Sequence, residues 1–587
     1  MCGIFGYIGT KNNAAALVLE GLKTLEYRGY DSWGIAEVDG EKILTEKHVG
    51  KIGQATTILP ESTLAIGHTR WATHGGVNIT NAHPHLDCTK KIALIHNGIV
   101  ENYVELKDEL IKRKHSFNSE TDTEVIVHLI EEYAKKYEFA TAVRLAFNRL
   151  KGLNAIVALS VDQCEIVACK NGSPLVVGIG DKELFIASDA VGIIPHTKKI
   201  IFLKDNEMVV LNDSVSVNLL TTGDRITPEI EIIDWERREE GSMGNFPHFM
   251  IKEIHDQDHI IRHISKNLLS EIEQISTIIK KARGTFFIGA GTAYHACLAG
   301  TYLFAKIAKM HVNTAVASEF NYLEDFLTSE SLIIALSQSG ETIDVIEPLQ
   351  RAKEKGTKIV AMVNNLGSTI YRMSDHKILL NAGPELAVAS TKAYIAKLAL
   401  LLLLVGTLSG QQKRIQNLLL KSAEEIKRLL SNNSKKEIKK IAQFLANKEH
   451  IYTIGRGVSY PTALEAALKI KEVSYIHTEG LAGGELKHGT IALISDGTPC
   501  IVFAPLDETH GAIISNATEI KARGGVIIGI SPKKSTVFDY WIKVRDLQEA
   551  TILAQIVPAQ LLAYFLALEK NVDPDKPRNL AKSVTVK

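Results

Sequence analysis

Residues 286–297 read FFIGAGTAYHAC, and residues 452–463 read YTIGRGVSYPTA. Each stretch is an apolar strand followed by a G-x-G-x-x-Y turn and the start of a helix. KEKGTKIVAM at 353–362 is likewise similar to KARGGVIIGI at 521–530. An internal repeat with an offset of about 167 residues therefore spans the second half of the chain. Strands that alternate with helices predict two doubly wound, mostly parallel sheets, each with a ligand crevice at the strand carboxyl ends.

The first half, up to residue 235, is a β-rich α/β pattern. Strands are predicted at 64–68, 92–95, 155–160 and 165–169. Helices are predicted over 101–113 and over 121–136, where Thr121-x-x-Glu124 is typical of a capping box. The charged DWERREEGSMGNFP at 234–247 indicates a domain boundary. Isoleucine and leucine residues spaced by three and four from 261 to 279 then predict a long helix.

Composition excludes several classes of protein. The 587 residues carry 67 Lys and Arg against 67 Asp and Glu, and no basic run indicates nucleic-acid binding. The longest apolar run, Leu398–Leu408, is shorter than the roughly 20 residues that cross a bilayer, so we expect a buried helix and no membrane partner. Six cysteines without a C-x-x-C pair favour a cytoplasmic protein whose five internal cysteines are buried, and His83–His85 alone does not predict a metal site.

One turn in the first repeat suits a phosphate. The segment SQSGET, residues 337–342, follows a predicted strand and precedes a helix. Its hydroxyls and backbone N–H groups would form a neutral anion cradle, although Ser339 or Thr342 could simply cap the helix. The G-x-G turns lack the third glycine of a dinucleotide fingerprint, so no NAD is expected.

The second repeat carries titratable groups instead. Lys469 and Glu472 are one helical turn apart and can share a face. A glycine-rich stretch then leads into Glu485-Leu-Lys-His488. From the residues alone, a catalytic cluster and a solvated charged face remain equally open.

Cys2 would become the first residue if Met1 were removed. It would then carry a thiol nucleophile and an α-amino group that titrates near neutrality and can act as its base. The Arg70 guanidinium can bind a carboxylate through two parallel N–H groups. Asn97-Gly98 can donate hydrogen bonds to an oxyanion, and Asp122 can pair with an ammonium group. These are the groups needed to bind glutamine and attack its amide.

The motifs resemble a known family along essentially the whole chain. CGIFG, RGYDSWG, HTRWATHG, NAHPH, HNG and SETDTE are similar to the glutaminase domain of class II amidotransferases. SQSGET, AVASTKAY, ELKHG and the terminal PRNLAKSVTVK are similar to the sugar-isomerase half of the glutamine–fructose-6-phosphate aminotransferases. The resemblance implies an α/β fold with an N-terminal nucleophile (αββα) glutaminase domain followed by two doubly wound sugar-isomerase (SIS) domains. The implied boundaries are 2–235 for the glutaminase, 236–282 for a linker and long helix, 283–430 and 431–575 for the SIS domains, and 576–587 for a tail over the sugar site.

The resemblance also implies an activity, namely synthesis of glucosamine 6-phosphate and glutamate from fructose 6-phosphate and glutamine, the first step toward UDP-N-acetylglucosamine. No cofactor or metal is implied. In this family a histidine from the neighbouring subunit serves the sugar site, which implies a homodimer. The implied glutaminase residues are Cys2 as nucleophile, Asn97 and Gly98 for the oxyanion, Arg70, Thr73, His74 and Asp122 for glutamine, and Trp71 as a gate on an ammonia channel.

The implied sugar-site residues fall into two groups. Those that bind the sugar phosphate are Thr292, Ser337, Gln338, Ser339, Thr342 and Val388. Those with chemical roles are His488 in ring opening, Lys582 as Schiff base, and Glu472 in proton transfer with Lys469 nearby. One departure is Ala293, where the family commonly has a serine; we expect the remaining hydroxyls to keep the site.

Two alternatives from other classes stay open. One is a sugar-phosphate deglycase or isomerase with a vestigial glutaminase, against which intact Cys2, Arg70, Asn97 and Asp122 argue. The other is a sugar-phosphate-sensing protein without turnover, against which Glu472, His488 and Lys582 argue.

Overall fold

The computed structural model of the protein describes residues 2–233 and 243–584. Most of the predicted boundary segment 234–247 and the last three residues of the tail lie outside this range. Residues 2–233 together with 581–584 form one compact unit, and residues 243–580 form a second. The predicted domain boundaries remain predictions at the level of individual residues.

The first unit contains two antiparallel sheets. Its strands are β1 (Gly3–Gly9), β2 (Ser32–Asp39), β3 (Lys42–Val49), β4 (Leu64–Arg70), β5 (His85–Leu86), β6 (Ile92–Gly98), β7 (Asn154–Ser160), β8 (Glu165–Lys170), β9 (Val176–Ile179), β10 (Glu183–Ala187), β11 (Lys199–Phe202), β12 (Glu207–Leu211), β13 (Val215–Leu219), β14 (Arg225–Ile226) and β15 (Glu231–Ile232). The eight-stranded sheet has the order β15-β11-β9-β10-β1-β4-β2-β3, and the seven-stranded sheet has the order β14-β13-β12-β8-β7-β6-β5.

Helices cover the outer faces of both sheets. They are α1 (Ala14–Leu25), α2 (Tyr103–Lys112), α3 (Glu124–Ala134) and α4 (Phe139–Phe147). α1 packs on β1 and β4 of one sheet, whereas α3 and α4 pack on β6 and β8 of the other. Between the sheets lies an apolar core that includes Ile4, Ile66, Ile95 and Val157. The layers are therefore α, β, β and α, as predicted.

The capping box predicted at Thr121 is wrong. Helix α3 begins at Glu124, three residues later than expected, and its N-cap Thr123 makes no side-chain capping bond. The Glu124 carboxylate accepts instead from the backbone N–H groups of Asn118 and Ser119, at 2.8 and 2.7 Å. Residues 118–123 are thereby held as a loop rather than as the first turn of a helix.

The second unit opens with two helices, α5 (Phe249–Asn267) and α6 (Leu269–Lys281), where the sequence predicted one long helix. The break falls at Leu268, whose φ of −108° and ψ of 20° leave the helical region. The apolar spacing continues across this break because Ile264, Leu268 and Ile272 are all buried in the same core. Periodicity therefore predicts the buried face and not the break.

The two repeats follow α5 and α6. The first contains β16 (Gly284–Gly289), α7 (Thr292–Leu303), β17 (Asn313–Val316), α8 (Ala317–Phe320), β18 (Ser331–Leu336), α9 (Ile343–Glu354), β19 (Lys358–Val363), α10 (Thr369–Met373), β20 (His376–Leu379) and α11 (Lys392–Leu408). The second, after α12 (Gln412–Leu429), contains α13 (Asn432–Leu445), β21 (His450–Gly455), α14 (Ser459–Ser474), β22 (His477–Ala482), β23 (Pro499–Phe503), α15 (His510–Lys521), β24 (Val526–Ser531), β25 (Tyr540–Lys543) and α16 (Thr551–Glu569).

Both repeats form a five-stranded parallel sheet. The orders β17-β16-β18-β19-β20 and β22-β21-β23-β24-β25 are equivalent, which confirms the predicted repeat. In each sheet the chain starts at the second strand of the order and moves first to the edge strand on one side. It then returns and adds the remaining three strands on the other side. The carboxyl ends of β16 and β18, and of β21 and β23, are therefore the switch points where ligands bind in such folds.

Apolar helices form the centre of the second unit. The run Leu398–Leu408 lies in α11 and is mostly buried, as predicted. The segment Gln548–Glu569, which contains α16, is the one described helix that passes a length-and-hydropathy test for a membrane span, and most of it is buried in the protein core.

The prediction that all five internal cysteines are buried is wrong for two of them. Cys169, Cys297 and Cys500 are buried, whereas Cys88 and Cys164 are exposed. Cys88 lies in the loop after β5, and Cys164 lies in the turn between β7 and β8, where its φ is +47°. All six cysteines are free.

Candidate active sites

Cys2 lies at the start of the first unit, directly before β1. Strand β1 pairs with β4, and Gly3 is opposite Thr69, so Cys2 lies beside the residues that follow β4. The Trp71 N–H donates to Cys2 Sγ at 3.3 Å, which holds the sulfur in place and supplies positive polarity to a thiolate. Burial raises the pKa of the thiol, and this Trp71 bond and Arg70 partly oppose that rise.

A pocket of about 430 Å³, part of it open to solvent, contains Cys2. All eight residues that the sequence analysis assigned to glutamine chemistry line it: Cys2, Arg70, Trp71, Thr73, His74, Asn97, Gly98 and Asp122. Four further residues complete the wall, namely His83, His96, Thr121 and Thr123. The sequence analysis did not assign these four to the pocket.

Asn97 and Gly98 end strand β6 beside Cys2. Asn97 Nδ2 donates to the Cys2 carbonyl oxygen at 3.0 Å, and its Oδ1 lies 3.1 Å from His68 Nε2. Gly98 has a φ of +146°, and a Cβ there would lie 2.5 Å from the Leu153 carbonyl oxygen. Only glycine fits this backbone, and both Asn97 and Gly98 line the pocket that contains Cys2.

A buried histidine that the sequence analysis missed, His68, contacts the Asn97 side chain. His68 is fully buried, and its Nε2 faces two oxygens, His96 O at 3.0 Å and Asn97 Oδ1. Burial lowers the pKa of His68 to about 3 and also lowers the pKa values of His83 and His96. These rings are therefore neutral at physiological pH and act as hydrogen-bonding groups rather than as charges.

Arg70 and Asp122 provide opposite charges on the pocket wall. The Arg70 guanidinium donates to the carbonyl oxygens of His74, Gly75 and Gly76, at 2.5 to 3.2 Å, and so shapes the 74–76 loop. Asp122 Oδ2 accepts from the Val100 N–H at 2.7 Å. A zwitterionic amino acid would find a cation and an anion fixed in one pocket with a thiol.

The second unit carries the predicted phosphate loop at the carboxyl end of β18. Ser337 Oγ accepts from the Gly340 N–H at 3.0 Å, and Ser339 Oγ accepts from the Glu341 N–H at 3.2 Å. Gly340 has a φ of +67°, and a Cβ there would meet Ser368 Oγ at 2.0 Å. Thr342 is the N-cap of α9 but makes no side-chain capping bond. The Thr342 hydroxyl therefore does not cap α9.

The two repeats meet at a buried polar cluster. Lys469 Nζ, on α14, donates to Thr292 Oγ1 at 3.1 Å, at the first residue of α7. Thr292 in turn donates to Glu465 Oε1 at 3.0 Å, and His295 Nδ1 lies 2.7 Å from Glu465 Oε2. Glu465 is fully buried and was missed by the sequence analysis, which named only Lys469 and Glu472 on this helix.

Lys469 and Glu472 share a helix face, as predicted. Lys469 Nζ lies 2.5 Å from Glu472 Oε2 and 3.5 Å from Glu465 Oε1. Burial lowers the pKa of Lys469, but the two carboxylates outweigh that effect and raise it overall. Lys469 is therefore a buried ammonium group between two carboxylates, and Glu472 remains partly exposed.

The other predicted sugar-site residues have different settings. Val388 is buried, and its N–H donates to Asp575 O at 2.9 Å. Ala293 is buried in the first turn of α7, directly after Thr292. His488 is exposed at the end of a short 3₁₀ helix, Glu485–His488. Lys582 lies in the segment 581–584, which groups with the first unit, and its assignment stays a prediction.

Comparison with protein families supports this division of the chain. A model described as a glutamine amidotransferase domain matches residues 47–210, and a model described as an SIS domain matches residues 278–406 and 444–569. The fold and the two sites therefore define a glutamine amidotransferase domain joined to a pair of SIS domains.

Curated relatives match over the full length of both chains. A protein from Thermococcus kodakarensis is 43% identical over 605 aligned positions, and one from Pyrococcus horikoshii is 44% identical over 601; both are named glutamine–fructose-6-phosphate aminotransferase [isomerizing]. A solved C-terminal domain of glucosamine-fructose-6-phosphate aminotransferase from Francisella tularensis is 30% identical, has a TM-score of 0.52 and covers 57% of this chain and all of its own. The chain belongs to the glutamine–fructose-6-phosphate aminotransferase family.

Proposed function

We propose that the protein converts fructose 6-phosphate and glutamine into glucosamine 6-phosphate and glutamate. The observation that carries the proposal is that one chain holds two sites of complementary chemistry. One is a thiol in a pocket with a cation, an anion and two amides. The other is a hydroxyl-lined loop at a switch point of the sheet, in a unit where an ammonium group is fixed between carboxylates.

In the glutaminase half, Cys2 attacks the amide carbon of glutamine and releases ammonia, leaving a thioester that water hydrolyses to glutamate. The α-amino group of Cys2 serves as the base once Met1 has been removed. Asn97 and Gly98 stabilise the oxyanion. Asp122 and Arg70 bind the ammonium and carboxylate groups of glutamine, with Thr73 and His74 beside them and Trp71 as the gate for ammonia.

In the isomerase half, the phosphate lies on the 337–342 loop and Thr292. His488, supplied by a second copy of the chain, assists ring opening, and Lys582 forms the Schiff base with the open sugar. After ammonia adds at C2 and the Lys582 amine leaves, Glu472 moves a proton from C1 to C2. Lys469 Nζ lies 2.5 Å from Glu472 Oε2 and orients that carboxylate for the transfer.

Two further features belong to this proposal. The role of His488 requires a homodimer, because the residue is exposed on its own chain and serves the partner's sugar site. A cytoplasmic location fits six free cysteines, since disulfides are rare in reducing compartments.

The test is to incubate the purified protein with glutamine and fructose 6-phosphate and to identify the products by mass spectrometry. We expect glucosamine 6-phosphate and glutamate in equal amounts. Cys2→Ala should abolish both products and leave isomerisation of fructose 6-phosphate to glucose 6-phosphate. Cys164→Ser, at an exposed cysteine of the same unit, is the matched control and should keep full activity.

The outcome also separates the alternatives. Isomerisation without any amino sugar would identify a sugar-phosphate isomerase with a vestigial glutaminase. Binding of fructose 6-phosphate without turnover of either substrate would identify a sensing protein. Either result would contradict the proposal.

A further inference from the structure

Four potential metal ligands from three separate segments converge on the first unit, and none of them lines the glutamine pocket. They are Cys88 from the loop after β5, His115 from the segment after α2, and His128 and Glu131, one turn apart on α3. One ligand atom from each lies within 4.8 Å of all the others. Both histidines are buried, Glu131 is nearly so, and Cys88 is exposed and leaves a route for an ion to enter.

Four of the six separations between these atoms are close to the edges of a metal-centred tetrahedron, the two N–O separations being 0.2 to 0.4 Å shorter. Cys88 Sγ lies 3.7 Å from His115 Nδ1 and 3.6 Å from His128 Nδ1. Glu131 Oε2 lies 3.0 Å from His115 Nδ1 and 3.2 Å from His128 Nδ1. For tetrahedral Zn²⁺, bond lengths of about 2.3 Å to sulfur and 2.0–2.2 Å to nitrogen and oxygen give S–N edges of roughly 3.6 Å and N–O edges of roughly 3.4 Å.

The outer ring nitrogens also have the partners that metal-bound histidines have. His115 Nε2 lies 2.8 Å from Glu132 Oε1, so a neutral ring would donate there and present an unprotonated Nδ1 to the ion. His128 Nε2 points toward Glu124 Oε1 at 3.8 Å and has no hydrogen-bond partner of its own. Each ring therefore has a carboxylate beside its Nε2 atom. The Cys88 thiol and the Glu131 carboxylate lie beside its Nδ1 atom.

Hydrogen bonding alone explains this arrangement less well. If no ion were bound, Glu131 Oε2 alone would have to accept from His115 Nδ1, His128 Nδ1 and the backbone N–H of Cys88. The Cys88 thiol lies against the same carboxylate. A divalent cation satisfies all four groups with neutral rings, a thiolate and a carboxylate.

We propose that Cys88, His115, His128 and Glu131 form a structural Zn²⁺ site. Four protein ligands close the coordination shell, which is typical of structural rather than catalytic zinc. The mixed sulfur, nitrogen and oxygen donors suit zinc better than magnesium or calcium, which prefer oxygen alone.

The site would stabilise the wall of the glutamine pocket. It ties the loop after β5 and the segment after α2 to α3. One turn before His128 on that helix is Glu124, whose carboxylate holds the backbone of Asn118 and Ser119. This loop leads directly into Thr121, Asp122 and Thr123, which line the pocket. Zinc removal is therefore expected to weaken glutamine binding while leaving isomerisation of fructose 6-phosphate intact.

The zinc content of the full-length protein is measured by inductively coupled plasma mass spectrometry, after gel filtration in a buffer that contains no chelator. We expect about one zinc per chain. Cys88→Ser and Glu131→Gln should each weaken zinc binding at least tenfold in competition with a chromogenic chelator, whereas Cys164→Ser should not change it. Replacing zinc by Co²⁺ should give a thiolate-to-cobalt charge-transfer band that is lost in Cys88→Ser.

The cobalt spectrum of the unaltered protein decides the matter even if a variant fails to fold, as checked by circular dichroism. A spectrum without thiolate coordination overturns the proposal, as does zinc retention by Cys88→Ser equal to that of Cys164→Ser. A protein that binds no zinc from a micromolar solution also overturns it.

Discussion

At the scale of single residues, backbone geometry decides which groups can line the pocket around Cys2. Gly98 has a positive φ and is surrounded by Leu153 O, Asn154 Oδ1 and His96 Nε2, each within 2.7 Å of a Cβ placed there. The sequence analysis predicted Gly98 as a backbone donor, but the need for glycine at this position is visible only in three dimensions.

Gly98→Ala should therefore abolish glutamine hydrolysis, because the backbone must move away from Cys2 to admit the methyl group. We expect at least a hundredfold loss in glutaminase rate, with isomerisation of fructose 6-phosphate unchanged. Gly50→Ala is the matched control, since Gly50 also has a positive φ, +93°, but has nothing within 4 Å of its Cβ. Equal glutaminase rates in the two variants would contradict this account.

Glu37 on β2 provides a pH-dependent prediction. It is fully buried, and neither carboxylate oxygen has a hydrogen-bond partner. Burial, with smaller contributions from Asp39 and Glu46, raises its pKa to about 7 from an ordinary 4.5. The folded state therefore holds this proton more tightly than the unfolded state, and stability falls as the pH rises from about 4.5 to 7.

Glu37→Gln, which cannot ionise, should raise Tm at pH 8 and change it much less at pH 5. Differential scanning calorimetry at the two pH values measures this. Glu41→Gln, at an exposed residue between β2 and β3, is the control and should have no effect at either pH. An equal change in Tm at pH 5 and pH 8 for Glu37→Gln would mean that ionisation is not the cause.

At the scale of elements, α14 organises the sugar half. Glu465, Lys469 and Glu472 lie on one face of this helix, and through Thr292 that face reaches the first turn of α7. Glu465 is the residue that accepts from both Thr292 and His295 and lies beside Lys469. Its charge keeps Lys469 protonated and correctly oriented.

Glu465→Gln preserves the size of the side chain and removes that charge. We expect formation of glucosamine 6-phosphate to fall at least tenfold, with glutamine hydrolysis unchanged, because the first unit does not depend on this cluster. Enzyme assays of both products, with Glu437→Gln on the exposed face of α13 as control, measure the effect. Loss of both activities together would indicate misfolding rather than a local role.

The elements also show what the sequence could predict. The repeated G-x-G turns and the apolar runs before them, such as FFIG at 286–289, were sufficient to predict the parallel sheets, because a parallel strand buried on both faces is a continuous apolar run. The start of α3 and the break at Leu268 were not predictable, because tertiary hydrogen bonds to Glu124 and local φ and ψ decide them. Glu465 was missed because a buried carboxylate has no sequence signal that distinguishes it from an exposed one.

At the scale of the whole molecule, the central claim is that two chemistries on one chain act as one enzyme. Cys2 lies near one end of the sequence and Lys582 near the other. We propose that Lys582 forms the Schiff base with the sugar, so that residues near both ends of the chain take part in the reaction.

Borohydride reduction in the presence of fructose 6-phosphate should trap the sugar on Lys582, which peptide mass spectrometry can locate. Lys582→Arg keeps the charge but cannot form an imine, so it should prevent trapping and synthesis while glutamine hydrolysis continues. Lys576→Arg, in the same tail, is the control and should still be trapped at Lys582. Adduct formation on another lysine would assign the Schiff base elsewhere.

The most direct measurement of the central claim uses glutamine labelled with ¹⁵N in its amide, mixed with fructose 6-phosphate and an excess of unlabelled ammonium. If the ammonia made at Cys2 passes to the sugar within the enzyme, the glucosamine 6-phosphate will carry ¹⁵N at C2 with almost no dilution by the ammonium in solution. A product diluted to the isotopic composition of the solution, or no amino sugar at all, would contradict the account.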